Sequence, residues 1–139
     1  MITAVDTSVL LDVFSADPQF GPLSKNALRS CAEEGRAIAC EVVWAEVAGS
    51  FPSSKAAQEA MNRIRVEYSA IELETALAAG SVWKKYRSHG GRRDRMIADF
   101  LVGAHALRQA DRLLTRDRGI YRSYFSGLEI LDPTPRQQS

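Results

Sequence analysis

Short apolar segments without helical spacing alternate along the chain with segments whose apolar residues recur at helical spacing. The strand-like segments cover residues 2–5, 37–40, 68–71, 112–115 and 128–131. Two parallel strands must be joined by a crossover, which is usually a helix, so this alternation predicts a mainly parallel sheet covered on both faces. The predicted fold class is therefore α/β, a three-layer fold with a central sheet flanked by helices.

Turn and capping residues set the expected boundaries of the helices. A residue of the type that caps a helix stands at the start of several helical segments. The candidates are Thr7 or Ser8, Ser24, Ser53 or Ser54, and Asp94. Gly35 is expected to end the second helix. The helix after Asp94 is predicted to turn a regular apolar series to the core, namely Ile97, Leu101, Ala104 and Leu107.

The 139 residues, of which 45% are hydrophobic, are enough for one core without a disulfide or a structural metal. We predict a single domain over 1–132 and a short tail over 133–139. No apolar run approaches the roughly 20 residues that span a bilayer, and the N-terminus lacks the basic start of a signal peptide. Cys31 and Cys40 are expected to be buried, unpaired small apolar residues. These features predict a cytoplasmic protein.

The formal net charge of +1 conceals an uneven distribution. Residues 1–82 carry 6 basic and 11 acidic side chains, whereas residues 83–139 carry 12 basic and 6 acidic ones. The total argues against a polyanion-binding surface over the whole molecule. The distribution nevertheless allows an acidic site to lie beside a basic surface.

Four acidic residues either follow a strand-like segment or interrupt an apolar one. Asp6 ends the first strand, and Asp117 follows the fourth by two residues. Glu46 and Asp99 stand inside apolar helical segments. Ligands of a parallel α/β sheet bind outside the carboxyl ends of its strands, so all four acids can lie at one edge of the sheet.

Several carboxylates held close together repel one another, and a divalent cation removes that cost. Mg²⁺ and Mn²⁺ prefer oxygen ligands, and Mg²⁺ keeps several waters. The chain has no His pair or Cys cluster of the kind that binds zinc. A hard metal at such a site activates water and stabilises charge on a phosphoryl oxygen.

Each acid also has a purely structural interpretation. Asp6 would cap a helix, and Glu46 would point to solvent from a half-buried helix. Asp99 would pair with Arg95 on the same helix, and Asp117 would belong to a charged turn. It is the ordered set of four that favours a shared site.

Four segments together resemble the PIN-domain ribonucleases and, more narrowly, the VapC toxins of type II toxin–antitoxin pairs. These segments are residues 5–12, 43–47, 97–106 and 114–118. The resemblance spans almost the whole chain. It implies a central parallel sheet, cleavage of RNA that depends on Mg²⁺ or Mn²⁺, a homodimer, and inhibition by a cognate antitoxin.

The same resemblance implies the site residues. The catalytic and metal-binding acids would be Asp6, Glu46, Asp99 and Asp117. The hydroxyls that orient carboxylates or a metal-bound water would be those of Thr7, Ser8 and Thr115. Asp12 is a weaker match that we expect to be exposed to solvent. Asp94 competes with Asp99 for the third acid and is placed second because it lies among arginines.

Basic and aromatic residues of the second half supply candidates for RNA contact. The basic candidates are Arg92, Arg93, Arg95, Arg116 and Arg118. The first three belong to a basic group that flanks Gly90 and Gly91, and the other two are expected to surround the last acid together with Arg112 and Arg122. Tyr86, Tyr121 and Tyr124 are available for base stacking, although packing is their expected role. His89 and His105 are expected at the surface or in helix packing.

Two other functions compete with the endoribonuclease. A phosphoryl-transfer enzyme or a receiver domain also has acids at strand ends. A phosphatase of the haloacid-dehalogenase type would need a second Asp two residues after Asp6, but position 8 is Ser. A receiver domain would need a Lys late in the chain, but no Lys follows Lys85. The second competitor is a non-catalytic module that uses the acids to bind a metal or a basic partner. Nothing in the sequence separates this module from an enzyme.

Overall fold

The computed structural model describes residues 1–90, 96–117 and 119–134. Within these ranges five strands form a single sheet in which every pairing is parallel. The strands are β1 Ile2–Val5, β2 Arg36–Ala39, β3 Val66–Tyr68, β4 Arg112–Leu114 and β5 Ile130–Leu131. Their spatial order is β3-β2-β1-β4-β5. The predicted α/β fold class with a central parallel sheet is confirmed.

Seven helices connect or flank these strands in the same ranges. They are α1 Thr7–Phe14, α2 Gly21–Glu34, α3 Glu41–Ala48, α4 Ser54–Arg63, α5 Leu73–Ser88, α6 Ile97–Gln109 and α7 Gly119–Tyr124. None of the helices in the described ranges has both the length and the apolar character needed to cross a lipid bilayer. Cys31 and Cys40 are free and buried, as predicted.

Several predicted boundaries were wrong. The third strand begins before the predicted 68–71 segment, and the second helix begins at Gly21 rather than at Ser24. Pro22 lies in the first turn of α2, where a missing backbone N–H costs no helical hydrogen bond. Ser24 is instead fully buried inside the helix.

Two helix starts also differ from the prediction. Asp6, and not Thr7 or Ser8, caps α1, since its carboxylate accepts the Thr7 backbone N–H at 2.8 Å. Asp94 lies outside the described residues, and α6 begins at Ile97. Ser53 caps α4, and Gly35 follows the end of α2, both as predicted.

The predicted core face of α6 was only partly right. Ala104 is buried and Leu101 is half-buried, but Ile97 and Leu107 are each 40% exposed. The helix approaches its neighbour closely at Gly103, where a Cβ would meet the Phe125 ring at 2.5 Å. The buried face of α6 consists of Phe100, Val102, Gly103, Ala104, His105 and Ala106, and two of the large apolar side chains that the spacing assigned to the core remain outside it.

The sheet order places Asp6 next to the segment that carries Thr115 and Asp117. β1 lies between β2 and β4, and Val5 is paired in register with Leu114. The residues that follow these two strands, Asp6 and Thr115, therefore leave the sheet side by side at its carboxyl edge.

Candidate active site

Asp6 and Thr115 form the centre of the acidic site. The Thr115 hydroxyl is fully buried and donates to Asp6 Oδ2 at 2.7 Å. Asp6 Oδ1 accepts the N–H of Thr7 at the start of α1. Both oxygens of this carboxylate are thus oriented by groups whose positions are set by β4 and α1.

Glu46, the predicted acid on α3, is held by Thr7, the residue that follows Asp6. Thr7 is buried, and its Oγ1 donates to Glu46 Oε1 at 2.9 Å across 39 residues of sequence. Glu46 lies on α3 and is exposed. Ser8 Oγ lies 3.5 Å from Asp6 Oδ2, which is a long hydrogen bond. Asp6 and Glu46 are therefore linked through consecutive residues of one turn.

Asp99 and Asp117 lie close enough for their negative charges to act on the Asp6 carboxyl. Asp99 is the third residue of α6 and accepts the Met96 backbone N–H at 3.2 Å. The backbone N–H of Asp117 donates to Thr115 Oγ1 at 3.0 Å, so one hydroxyl organises two acids. The structure thus brings the four predicted acids to one edge of the sheet, and their catalytic and metal-binding roles stay predictions.

Burial and neighbouring charge both act on the Asp6 carboxyl. Its pKa rises from 3.8 to about 6, mainly because burial disfavours the charged form. The negative charges of Asp117 and Asp99 raise this pKa further, while the hydrogen bonds from Thr115 and Thr7 lower it. A cation placed among these acids would offset the same repulsion.

The donor set fits a hard divalent cation. It consists of carboxylate and hydroxyl oxygens, which suit Mg²⁺ or Mn²⁺ and not the nitrogen and sulfur sites of zinc. Within the described ranges, no three His, Cys, Asp or Glu side chains are close enough together to enclose a metal ion. Mg²⁺ does not require such a cage, since it usually takes one or two carboxylates and keeps several waters.

The structure contradicts the expectation that Asp12 is exposed. Asp12 is only 5% exposed, and both of its oxygens accept from the Arg116 guanidinium, at 2.7 and 2.9 Å. Ser24 donates to the same carboxylate at 2.9 Å. Sequence reasoning missed this ion pair because its members are 104 residues apart, although an acid and a serine among apolar helix residues were the available signal.

The basic residues are distributed differently from the prediction. Arg112 begins β4 and therefore lies at the opposite end of this strand from Thr115, where it pairs with Glu34 at 2.8 Å. The expectation that Arg112 surrounds the last acid was wrong. The predicted RNA-binding residues Arg92, Arg93, Arg95 and Arg118 lie outside the described residues.

The tyrosines and the buried histidine have packing roles, as expected. Tyr86 and Tyr121 are buried and Tyr124 is half-buried. Tyr86 lies 5.1 Å from the ring centre of Phe100. His105 is buried on α6, and its Nε2 lies 3.0 Å from Ser69 Oγ.

Comparison with known proteins identifies the family of this chain. The PIN domain family matches residues 3–126, which is nearly the whole chain. The chain belongs to the PIN domain family. No curated protein matches the chain.

Solved structures share the PIN fold with this chain at low sequence identity. The VapBC2 complex of Rickettsia felis, bound to a DNA fragment from its promoter, has 17% identity and a TM-score of 0.74 over 95% of this chain and 98% of that chain. VapBC-1 of nontypeable Haemophilus influenzae has 17% identity and a TM-score of 0.70, covering 97% and 100%. VapC20 of Mycobacterium tuberculosis, a sarcin-ricin loop cleaving toxin, has 15% identity and a TM-score of 0.61, covering 91% and 95%.

Proposed function

We propose that this PIN-domain protein is the toxin of a type II toxin–antitoxin pair and acts as an endoribonuclease that depends on Mg²⁺ or Mn²⁺. The observation that carries the proposal is the pair of hydroxyl contacts that joins the acids, Thr115 to Asp6 and Thr7 to Glu46. Carboxylates that bind a metal ion are typically oriented by hydrogen bonds from neighbouring side chains. The two threonines do this at the edge of the parallel sheet where ligands bind.

The residues of this chain have separate tasks in the proposed reaction. A bound Mg²⁺ would activate water and stabilise charge on the phosphate. Asp6 and Asp117 would hold the cation from the two adjacent strand ends, with Thr115 fixing both. Asp99 would add negative charge from the first turn of α6. Glu46, fixed by Thr7 through Oε1, would accept a proton from water at Oε2.

RNA is the substrate class that the similar structures support, since VapC20 is a toxin that cleaves the sarcin-ricin loop. The excess of basic residues after residue 82 supports the same substrate, because cations near the metal would hold the phosphate backbone. Cleavage of cellular RNA would take place in the cytoplasm.

The decisive experiment is an RNA cleavage assay on the purified chain with Mg²⁺ or Mn²⁺. We expect EDTA to abolish cleavage and Asp6→Asn to reduce it at least 100-fold, as for the loss of a metal-holding carboxylate. Glu59→Gln, an exposed acid on α4, is the matched control and should cleave normally. Cleavage that persists in both EDTA and Asp6→Asn would exclude the mechanism.

The alternative is a non-catalytic module that binds a metal or a partner through the same acids. It predicts Mn²⁺ binding that is lost in Asp6→Asn, together with intact RNA across a broad panel of substrates. The same protein preparation therefore separates the two functions.

An antitoxin partner is supported by complexes such as VapBC2 and by a surface groove of this chain. The groove has a volume of about 590 Å³ and an apolar floor that includes Phe14, Phe51 and Ile64. Its basic lining residues are Lys25, Arg29, Arg63 and Arg65. We propose that an acidic amphipathic segment of the antitoxin binds there.

The antitoxin proposal predicts a short open reading frame next to the gene of this chain, and co-expression with it is the test. We expect a purified complex that does not cleave RNA, and Arg29→Glu with Arg63→Glu should weaken it. A complex of unchanged affinity in this double variant would place the antitoxin elsewhere.

A homodimer is supported by exposed apolar side chains on α5. Leu73 and Leu77 are four residues apart, so they share one face of the helix, and they are 75% and 64% exposed. Leu107 on the adjacent α6 is also exposed. Large apolar side chains exposed on two packed helices supply candidate contacts for a second copy of the chain.

A further inference from the structure

Arg116 stands between two residues of the acidic site. Thr115 precedes it and donates to Asp6, and Asp117 follows it. The side chain of Arg116, however, is bound to Asp12 on α1 through two hydrogen bonds, from Nε at 2.7 Å and from Nη2 at 2.9 Å. A forked contact of this kind fixes orientation as well as distance.

Two further contacts restrict the same guanidinium and its partner. The ring centre of Phe20 lies 4.0 Å from the Arg116 guanidinium carbon, within the range of a cation–π contact. Ser24 on α2 donates to the Asp12 carboxylate. We call these four residues, Asp12, Phe20, Ser24 and Arg116, the Arg116 network.

The Arg116 network joins the segment after β4 to the α1 and α2 pair. The backbone on either side of Arg116 carries the hydroxyl of Thr115 and the carboxylate of Asp117. Any rotation of this segment would move both groups relative to Asp6, which caps α1. The network therefore fixes the segment against the helix that carries the first acid.

We propose that Arg116 is a positioning residue that holds Thr115 and Asp117 in place for the cation, and that it does so through Asp12 rather than by contacting RNA. This inference rests on the proposed function. It differs from the expectation of an RNA contact because the forked face of the guanidinium is already engaged by a buried carboxylate.

The control is Arg112, at the start of the strand that leads to Arg116. Arg112 begins β4 and pairs with Glu34 while donating to Thr3 Oγ1 at 2.9 Å. Loss of Arg112 removes an ion pair at the other edge of the sheet, whose acid Glu34 is 53% exposed, whereas the side chain of Asp12 is 6% exposed. A general effect of losing an arginine would appear in Arg112→Gln as well. The double variant with Asp12→Asn separates positioning from the buried charge that Arg116→Gln alone leaves unpaired.

The test measures Mn²⁺ affinity, amide hydrogen exchange and RNA cleavage for each variant. In Arg116→Gln and in Asp12→Asn we expect the Kd for Mn²⁺ to rise about 10- to 100-fold, as for other residues that orient metal ligands. Exchange at the Asp117 amide should accelerate in both. The double variant should be no worse than either single variant, because both remove one interaction. Arg116→Lys should recover part of the Mn²⁺ affinity.

Three outcomes would overturn the inference. Unchanged Mn²⁺ affinity and Asp117 exchange in Arg116→Gln would show that the network positions nothing. Equal losses in Arg112→Gln would indicate general destabilisation. A higher KM for RNA in Arg116→Gln alone, with a normal KM in Asp12→Asn, would make Arg116 an RNA contact.

The double variant leaves no buried unpaired charge, so its Mn²⁺ affinity and Asp117 exchange can be measured even if a single variant does not fold. The exchange measurement needs neither metal nor RNA, so it remains decisive if the proposed function fails.

Discussion

Both oxygens of the Asp6 carboxylate are held by hydrogen bonds. One oxygen caps α1 and the other accepts the Thr115 hydroxyl. The structural interpretation of Asp6 as a helix cap and its interpretation as a site residue are therefore compatible. A cap at the carboxyl end of β1 is held rigidly, which is what a metal-binding carboxylate needs.

The raised pKa of Asp6 predicts how stability depends on pH. The folded state binds the proton more tightly than the unfolded state, since its pKa is about 6 rather than 3.8. The contribution of Asp6 to stability is thus lost as the pH rises through this range. In EDTA at pH 7.5, Asp6→Asn should raise the free energy of unfolding by about 1 to 2 kcal/mol. At pH 4.5 the difference should shrink.

Urea unfolding of both proteins at the two pH values provides the measurement. Glu59→Gln should follow the wild type at both. A stability difference between Asp6→Asn and the wild type that is equal at pH 4.5 and 7.5 would contradict the raised pKa.

Thr115 tests whether a hydroxyl organises the site. Thr115→Val keeps the shape of the side chain but removes the donor to Asp6 and the acceptor for the Asp117 N–H. We expect kcat for RNA cleavage to fall about 10- to 100-fold. Thr115→Ser keeps the hydroxyl and should retain most of the activity. Equal kcat values for Thr115→Val and Thr115→Ser would show that the Thr115 hydroxyl has no part in the reaction.

At the scale of elements, α6, which carries Asp99 in its first turn, packs closely at Gly103. Gly103→Ala would place a Cβ 2.5 Å from the Phe125 ring, so the ring or the helix must move. We expect a loss of about 1 to 3 kcal/mol in the free energy of unfolding. Gly80→Ala on α5 is the control, because a Cβ there meets nothing within 4 Å. It should stabilise the protein by up to about 1 kcal/mol.

Denaturant unfolding of these two glycine variants measures both effects under one condition. If Gly103→Ala proves as stable as Gly80→Ala, α6 does not pack as closely as the structure shows.

At the scale of the whole molecule, the exposed face of α5 predicts the oligomeric state. Leu73→Lys together with Leu77→Lys should convert a dimer to a monomer, because two charges would be buried in the interface. Light scattering coupled to size exclusion measures the mass. Gln58→Lys on α4 is the control and should remain dimeric. A wild type that is monomeric at high concentration would refute the dimer.

The charge distribution belongs to the same scale. The total of +1 shows no nucleic-acid surface, but the halves differ, with 11 of the 17 acids before residue 83 and 12 of the 18 basic residues after it. Folding brings these halves together, since Asp6 accepts a hydrogen bond from Thr115, and Glu46 accepts one from Thr7, the residue that follows Asp6. A total charge therefore does not exclude a polyanionic partner.

The sequence by itself determined the parallel sheet and the edge at which Asp6 and Asp117 follow their strands. Both depend on local pattern, because buried strands alternate with helices and the residue after a strand leaves the sheet at its carboxyl end. Only the tertiary structure decided the burial of Asp12 and the outward position of Ile97 and Leu107. Arg116 reaches Asp12 across 104 residues, and Gly103 of α6 lies directly against the Phe125 ring. Contacts of such long range leave no periodic signal in the chain.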